Sequence, residues 1–109
     1  MERAAVTLTD REVDQALAGE RGWRRQDDEL VRELKLRDFD EALGFVERVA
    51  QLVNDYGRRP DMCISEFNRV RLMISNLHHA GFTQAEMRLA AKVNAAIEEH
   101  HPDAWAQER

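Results

Sequence analysis

The chain has 109 residues, 43% of them hydrophobic and 34% charged, with a formal net charge of −5. That length holds one compact core without staples, and the composition excludes a disordered chain. The negative balance excludes nucleic acid as the main partner, since phosphate binding needs a concentrated positive field, although arginines cluster locally at Arg24-Arg25 and Arg58-Arg59.

Thr9-Asp10-Arg11-Glu12 has the form of a capping box, with Thr9 placed to cap and Glu12 to reach back. Leu8 and Val13 occupy the two staple positions around it. Val13, Ala16 and Leu17 share one face, and Gly19 stands where a left-handed terminator is wanted. The first helix is predicted over Asp10–Ala18. Gly22 to Gln26 then reads as a strand, Asp27-Asp28 as a turn, and Glu29 to Leu36 as its hairpin partner. Leu30, Leu34 and Leu36 fall on one face of that partner, and Val31, Glu33 and Lys35 on the other. Arg32 interrupts the apolar face, which puts this strand near a sheet edge.

Asp38-Phe39-Asp40-Glu41 opens the second helix with another box. Phe39, Ala42, Leu43, Val46, Val49, Ala50 and Val53 recur at the helical period and are expected to pack on a sheet. Phe45, Leu52 and Tyr56 form a second stripe, so the combined apolar arc covers roughly half the helix, wider than a surface helix needs. The excess is covered either by another subunit or by the first helix. In the first case Phe45, Leu52 and Tyr56 are the candidate oligomer interface and a homodimer is the first expectation.

Gly57 stops this helix, and Pro60 starts the next strand from an edge-compatible position. Met62 and Ile64 alternate with Cys63 and Ser65. A tight turn near Phe67-Asn68 follows, and Arg69 to Asn76 returns with Val70, Leu72 and Ile74 inward. Cys63 is the only cysteine, which excludes an intramolecular disulfide and fits a reducing compartment. Thr83-Gln84-Ala85-Glu86 is the third capping box, with Phe82 and Met87 as its staple. Leu89, Val93, Ala96 and Ile97 carry the buried face of the last helix. A polar tail, His100 to Arg109, follows with Trp105 as its anchor, and the histidines at its start suit the negative end of the helix dipole.

The order is α-β-β-α-β-β-α. It describes an α+β fold, with a four-stranded, mostly antiparallel sheet and three helices covering one face. One domain is expected over residues 1–99, followed by the tail 100–109. No apolar run approaches the roughly 20 residues of a membrane span, and the first residues lack the apolar core of a signal peptide. A cytoplasmic protein without a membrane partner is the expectation. No phosphate-binding loop, dinucleotide fingerprint, zinc spacing or nucleophile elbow is present, so neither cofactor nor metal is expected. Adjacent His78 and His79 on a turn read as a solvent-facing pair, because neighbouring histidines rarely converge on one ion.

The chain resembles the pterin-4a-carbinolamine dehydratase family along nearly its whole length. Leu8-Thr9-Asp10, Gly22-Trp23, Phe39-Asp40-Glu41-Ala42, Phe45-Val46, Pro60-Asp61, Phe67 to Leu72, Gly81-Phe82-Thr83 and Leu89 to Lys92 carry the likeness by their order and spacing. The resemblance implies removal of water from a 4a-hydroxytetrahydropterin, a step that needs groups able to exchange protons near neutral pH. In the family motif an acidic or similar residue precedes a His-His-Pro by four positions, an aromatic follows, and a third histidine comes after the last strand. Asn54 stands here at the first place, Arg58-Arg59-Pro60 at the second and Phe67 at the aromatic. Leu77 stands at the third histidine, with His78 one residue further on. His100-His101-Pro102 reproduces the tripeptide, but beyond the last helix.

A guanidinium stays protonated across the physiological range, so it neither accepts a proton nor readily gives one up. General acid–base catalysis is worth about 100- to 10,000-fold, and replacing both imidazoles removes that contribution from these two positions. Arg58 and Arg59 are either an anion contact or solvated loop residues. The sequence expectation is therefore no catalytic residue and no enzyme. The chain instead resembles a degenerate branch of the family, the pterin-dehydratase-like assembly factors of Rubisco associated with α-carboxysomes. Its implied partner is a Rubisco subunit and its implied location carboxysome-associated. The competing expectations are an active dehydratase using His78, His79 or the tail histidines, and a coactivator that stabilises another protein's dimer.

Overall fold

The computed structural model describes residues 7–53, 60–75 and 81–107, the side chains of 105–107 excepted. Helix α1 spans Asp10–Ala18, and strands β1 (Trp23–Gln26) and β2 (Glu29–Lys35) form the first hairpin. Helix α2 (Phe39–Val53) leads to the second hairpin, β3 (Asp61–Ser65) and β4 (Arg69–Ser75). Helix α3 (Gln84–His100) and a short 3-10 helix, Pro102–Gln107, follow. The four strands form one antiparallel sheet in the order β1-β2-β4-β3. The fold is α+β with the order read from the sequence.

Local chemistry sets the helix starts. Thr9 Oγ1 accepts from the Glu12 amide at 3.1 Å while Glu12 Oε1 accepts from the Thr9 amide at 2.8 Å, a complete reciprocal cap. Thr83 and Glu86 repeat the arrangement at α3. The box at α2 is modified: Asp38 Oδ1 accepts from the Glu41 amide, but Glu41 reaches back to the Arg37 amide. At the end of α1, Gly19 is right-handed (φ −90°), and the left-handed glycine is Gly22, at φ +85°.

One face of the sheet carries the core. Trp23, Leu30, Leu34, Val70, Leu72 and Ile74 join Ala42, Phe45, Val49 and Val53 of α2 and Leu89, Ala90, Val93 and Ile97 of α3 in a single buried cluster. Arg25 ties α1 over β1 by ion pairs to Asp10 and Asp14, and Trp23 Nε1 donates to the Ala90 carbonyl at 3.1 Å. On the open face, Glu33 pairs with Arg24 and Arg71. These half-exposed pairs contribute little.

Two expectations about packing are corrected. Arg32 does not mark an edge, because β2 lies between β1 and β4 and Arg32 is 0% exposed. Its Nε donates to Asn94 Oδ1 at 3.0 Å and its Nη1 to the Glu33 carbonyl at 2.9 Å. A charge can sit in a core when its donors are met in this way. Phe45 is likewise not an outward stripe of α2: it is 0% exposed, with the ring of His101 packed edge-on against it. The buried positions of α2 are Ala42, Phe45, Val49 and Val53, whereas Phe39 and Leu43 are 48% and 41% exposed. Phe45 therefore leaves the candidate oligomer interface. Leu52 packs partly buried against the core, and Tyr56 lies outside the described residues.

Candidate functional site

Pro60 is buried and enters β3, whose first residue, Asp61, pairs with Met73 near the end of β4. The last residue of β4, Ser75, pairs with Glu29 at the start of β2. The chain thus leaves the sheet after Ser75 at the same end where it enters at Pro60. Asn54, Arg58, Arg59, Leu77 and His78 lie outside the described residues.

Phe67 is not brought to that end. It sits in the β3–β4 turn, beyond Ser65, and a five-residue strand is about 16 Å long. The turn is tightly fixed. Glu66 and Phe67 both have positive φ, 48° and 59°, an uncommon conformation for bulky residues. Buried Asn68 holds it in place, its Nδ2 donating to the Leu36 carbonyl at 2.9 Å and its own carbonyl accepting from the Leu36 amide. The result is an aromatic ring 61% exposed at the far end of the hairpin. Phe67 is available to a partner at that end and is separated from the motif at Pro60.

The tail histidines part company. His100 is exposed and pairs with Glu99. His101 is not at a polar helix terminus but buried, with its Nδ1 2.9 Å from Glu41 Oε2. A carboxylate only accepts, so the ring presents Nδ1–H to it. Burial alone would raise the Glu41 pKa. The hydrogen bond from His101, the bond from the Arg37 amide and the positive charge of both residues outweigh burial, and hold the carboxyl below its ordinary value. No spacing rule could have found this contact, whose partners are 60 residues apart.

A shallow cleft between the α1–β1 connection and α3 is lined by Glu20, Arg21, Asn94 and Glu98, among others. Of the motif positions among the described residues, Pro60 and Phe67 do not line it. Cys63, exposed on β3, faces away from the core.

Residues 6–96 match the family described as Pterin 4 alpha carbinolamine dehydratase. The chain belongs to this family. A Metallosphaera sedula relative named "Putative pterin-4-alpha-carbinolamine dehydratase" is 36% identical over 87 residues, 80% of this chain and 90% of the relative. A Thermomicrobium roseum relative of the same name is 40% identical over 66% of this chain and 76% of its own. Among solved structures, a transcriptional coactivator/pterin dehydratase from Brucella melitensis is 28% identical, with TM-score 0.74, covering 83% of this chain and 97% of that one. A pterin dehydratase-like protein identified as a RuBisCO assembly factor in the alpha-carboxysome is 21% identical, with TM-score 0.58, covering 68% of this chain and 87% of that one. That second likeness is one of fold alone.

These relatives correct the expectation that the chain is not an enzyme: those it matches across most of their length carry the dehydratase name. A guanidinium stays protonated near neutral pH, so Arg58 and Arg59 do not exchange protons there, but other proton carriers in the chain can.

Proposed function

We propose that this chain catalyses dehydration of a 4a-hydroxytetrahydropterin, the carbinolamine chemistry named for its family. The observation that carries the reading is the 36% identity, across 90% of its length, to a relative with that name. The reading is supported by Pro60 and Ser75, the described residues next to the two motif-bearing stretches of sequence, which lie at one end of the sheet. In this reaction the 4a-hydroxyl leaves as water after taking a proton from an acid, while a ring N–H gives up its proton to a base. With Arg58 and Arg59 unable to serve, His78 and His79 are the residues assigned to proton transfer, and the arginines to binding an electron-rich edge of the substrate.

The test is the dehydration rate of a freshly generated carbinolamine with purified protein. Acceleration over buffer that disappears in the variant combining His78→Ala and His79→Ala supports the assignment. A progress curve indistinguishable from buffer, with the protein shown to be folded, overturns it.

A second role in binding protein is favoured by the Brucella melitensis relative, whose name joins coactivator to dehydratase. The Rubisco partner drawn from the sequence resemblance has support only from a neighbour sharing the fold. Co-expression with Rubisco subunits would raise the yield of assembled enzyme if that partner is right. An unchanged yield with no complex detected removes it.

A further inference from the structure

The C-terminal residues do not behave as a polar tail. Beyond α3 the chain turns into the 3-10 helix Pro102–Gln107, which rests against α3 and β2. Pro102 and Asp103 are exposed, while His101 and Ala104 are buried. The His101 amide donates to the Ile97 carbonyl at 2.7 Å, and the Ala104 amide to the His101 carbonyl at 3.0 Å. Both bonds are local, and neither ties the segment to a distant element. Among the described residues, the one polar hold between this junction and a distant element is His101 Nδ1 on Glu41 Oε2. Nε2 of the same ring makes no hydrogen bond among the described residues.

Glu41 is a shared resource. Its Oε1 accepts from the Arg37 amide at 2.7 Å, fixing the turn into α2, while Oε2 holds His101. We propose that residues 102–107 form a strap, clasped by the His101–Glu41 pair, that opens in acid as a unit while the sheet stays folded. Opening uncovers the Phe45 ring, against which the His101 ring packs with centroids 5.5 Å apart and planes at 89°.

The charged surroundings leave Glu41 as the deciding group. Arg37 and Asp38 precede α2 and are more than half exposed, paired with each other at 3.5 Å. Arg48 lies two turns further along α2. At the close of α3, His100 pairs with Glu99, with its ring 6.5 Å from that of His101. Asp103 of the strap is exposed, and β2 turns Leu34 toward the helices and Lys35 away. The Glu41 carboxyl is held below its ordinary value. Its contribution is therefore complete above the usual carboxylate range and is lost as pH falls through the lowered folded-state value.

Amide hydrogen exchange of the full chain, corrected for intrinsic rates and followed by NMR from about pH 6 to about pH 3, tests this. The expected result is that the His101 and Ala104 amides lose protection before the Leu72 amide of β4. His101→Phe keeps a ring against Phe45 but has no N–H. It should raise strap opening at neutral pH by roughly ten- to a hundredfold, the worth of one hydrogen bond to a charged group. Glu41→Gln should flatten the pH profile, an effect that a purely structural role would not produce. Loss of strap and sheet protection together at every pH overturns the proposal, as does a wild-type pH profile in Glu41→Gln.

Discussion

Gly22→Ala measures how rigidly the buried arginine is held. Gly22 has φ +85°, and a Cβ there would lie 2.6 Å from Arg32 Nη1 and 2.7 Å from Nε. An L-residue in this conformation costs about 1–2 kcal/mol. The guanidinium must also move, and it is fixed by Asn94 and the Glu33 carbonyl. Losing one hydrogen bond of a buried charge costs about 1.5–3 kcal/mol, so the expected total is about 2.5–5 kcal/mol. In an Arg32→Leu background the guanidinium is gone and only the conformational cost of about 1–2 kcal/mol should remain. The double-mutant cycle should therefore show a coupling of about 1.5–3 kcal/mol. Urea unfolding of the four chains supplies the free energies, with sucrose in every sample to keep the double variant folded. A coupling under about 0.5 kcal/mol, the usual additivity error for independent sites, would refute the close packing of Gly22 on Arg32.

The two faces of α2 can be separated by substitution. Phe45→Ala should cost about 3–5 kcal/mol, as for a fully buried aromatic, whereas Phe39→Ser should stay within about 0.5 kcal/mol; equal losses in denaturant titrations would reverse the face assignment. Thr83→Ala removes a hydroxyl that accepts from the Ala85 amide at 3.2 Å and donates to Glu86 Oε1 at 2.8 Å. It should cost about 1–2 kcal/mol, with a lowered melting temperature largely restored by Thr83→Ser, and an unchanged melting temperature would show that the cap is unimportant.

What was legible in the sequence was chemistry that acts over a few residues. Thr9 with Glu12 and Thr83 with Glu86 announced helix starts because both partners lie within one turn. Alternation in Leu30, Leu34, Val70 and Leu72 announced which strand face is inward. Sheet order was not legible, since β2 and β4 meet across the whole of α2 and β3. Arg32 was misread for the same reason: its partner Asn94 is 62 residues away, and without it an arginine on an apolar face looks like an edge. The arc of α2 is apolar over too many positions for periodicity to choose between Phe39 and Phe45. The fold buries Phe45 in the core cluster, with the His101 ring from the far end of the chain against it. The candidate site was legible as a motif and not as geometry. Phe67 fits the motif by order, yet β3 separates it from Pro60.

The substitution at Arg58-Arg59 constrains mechanism more than it constrains function. A permanently charged pair excludes proton exchange at those two positions, but a dehydration needs its acid and base only within reach of the leaving hydroxyl and the ring nitrogen. The fold returns to the same sheet end after Ser75, and the next residues of the sequence include His78 and His79. The family's chemistry can therefore survive loss of one histidine pair if other residues of the chain supply the titrating groups. This makes the pH–rate profile informative in a way that activity alone is not. A rate carried by imidazole should rise and fall through the near-neutral range where histidine titrates, while arginines contribute a constant charge. A measured dehydration rate with no inflection in that range would leave the reaction in place and remove His78 and His79 as its proton carriers.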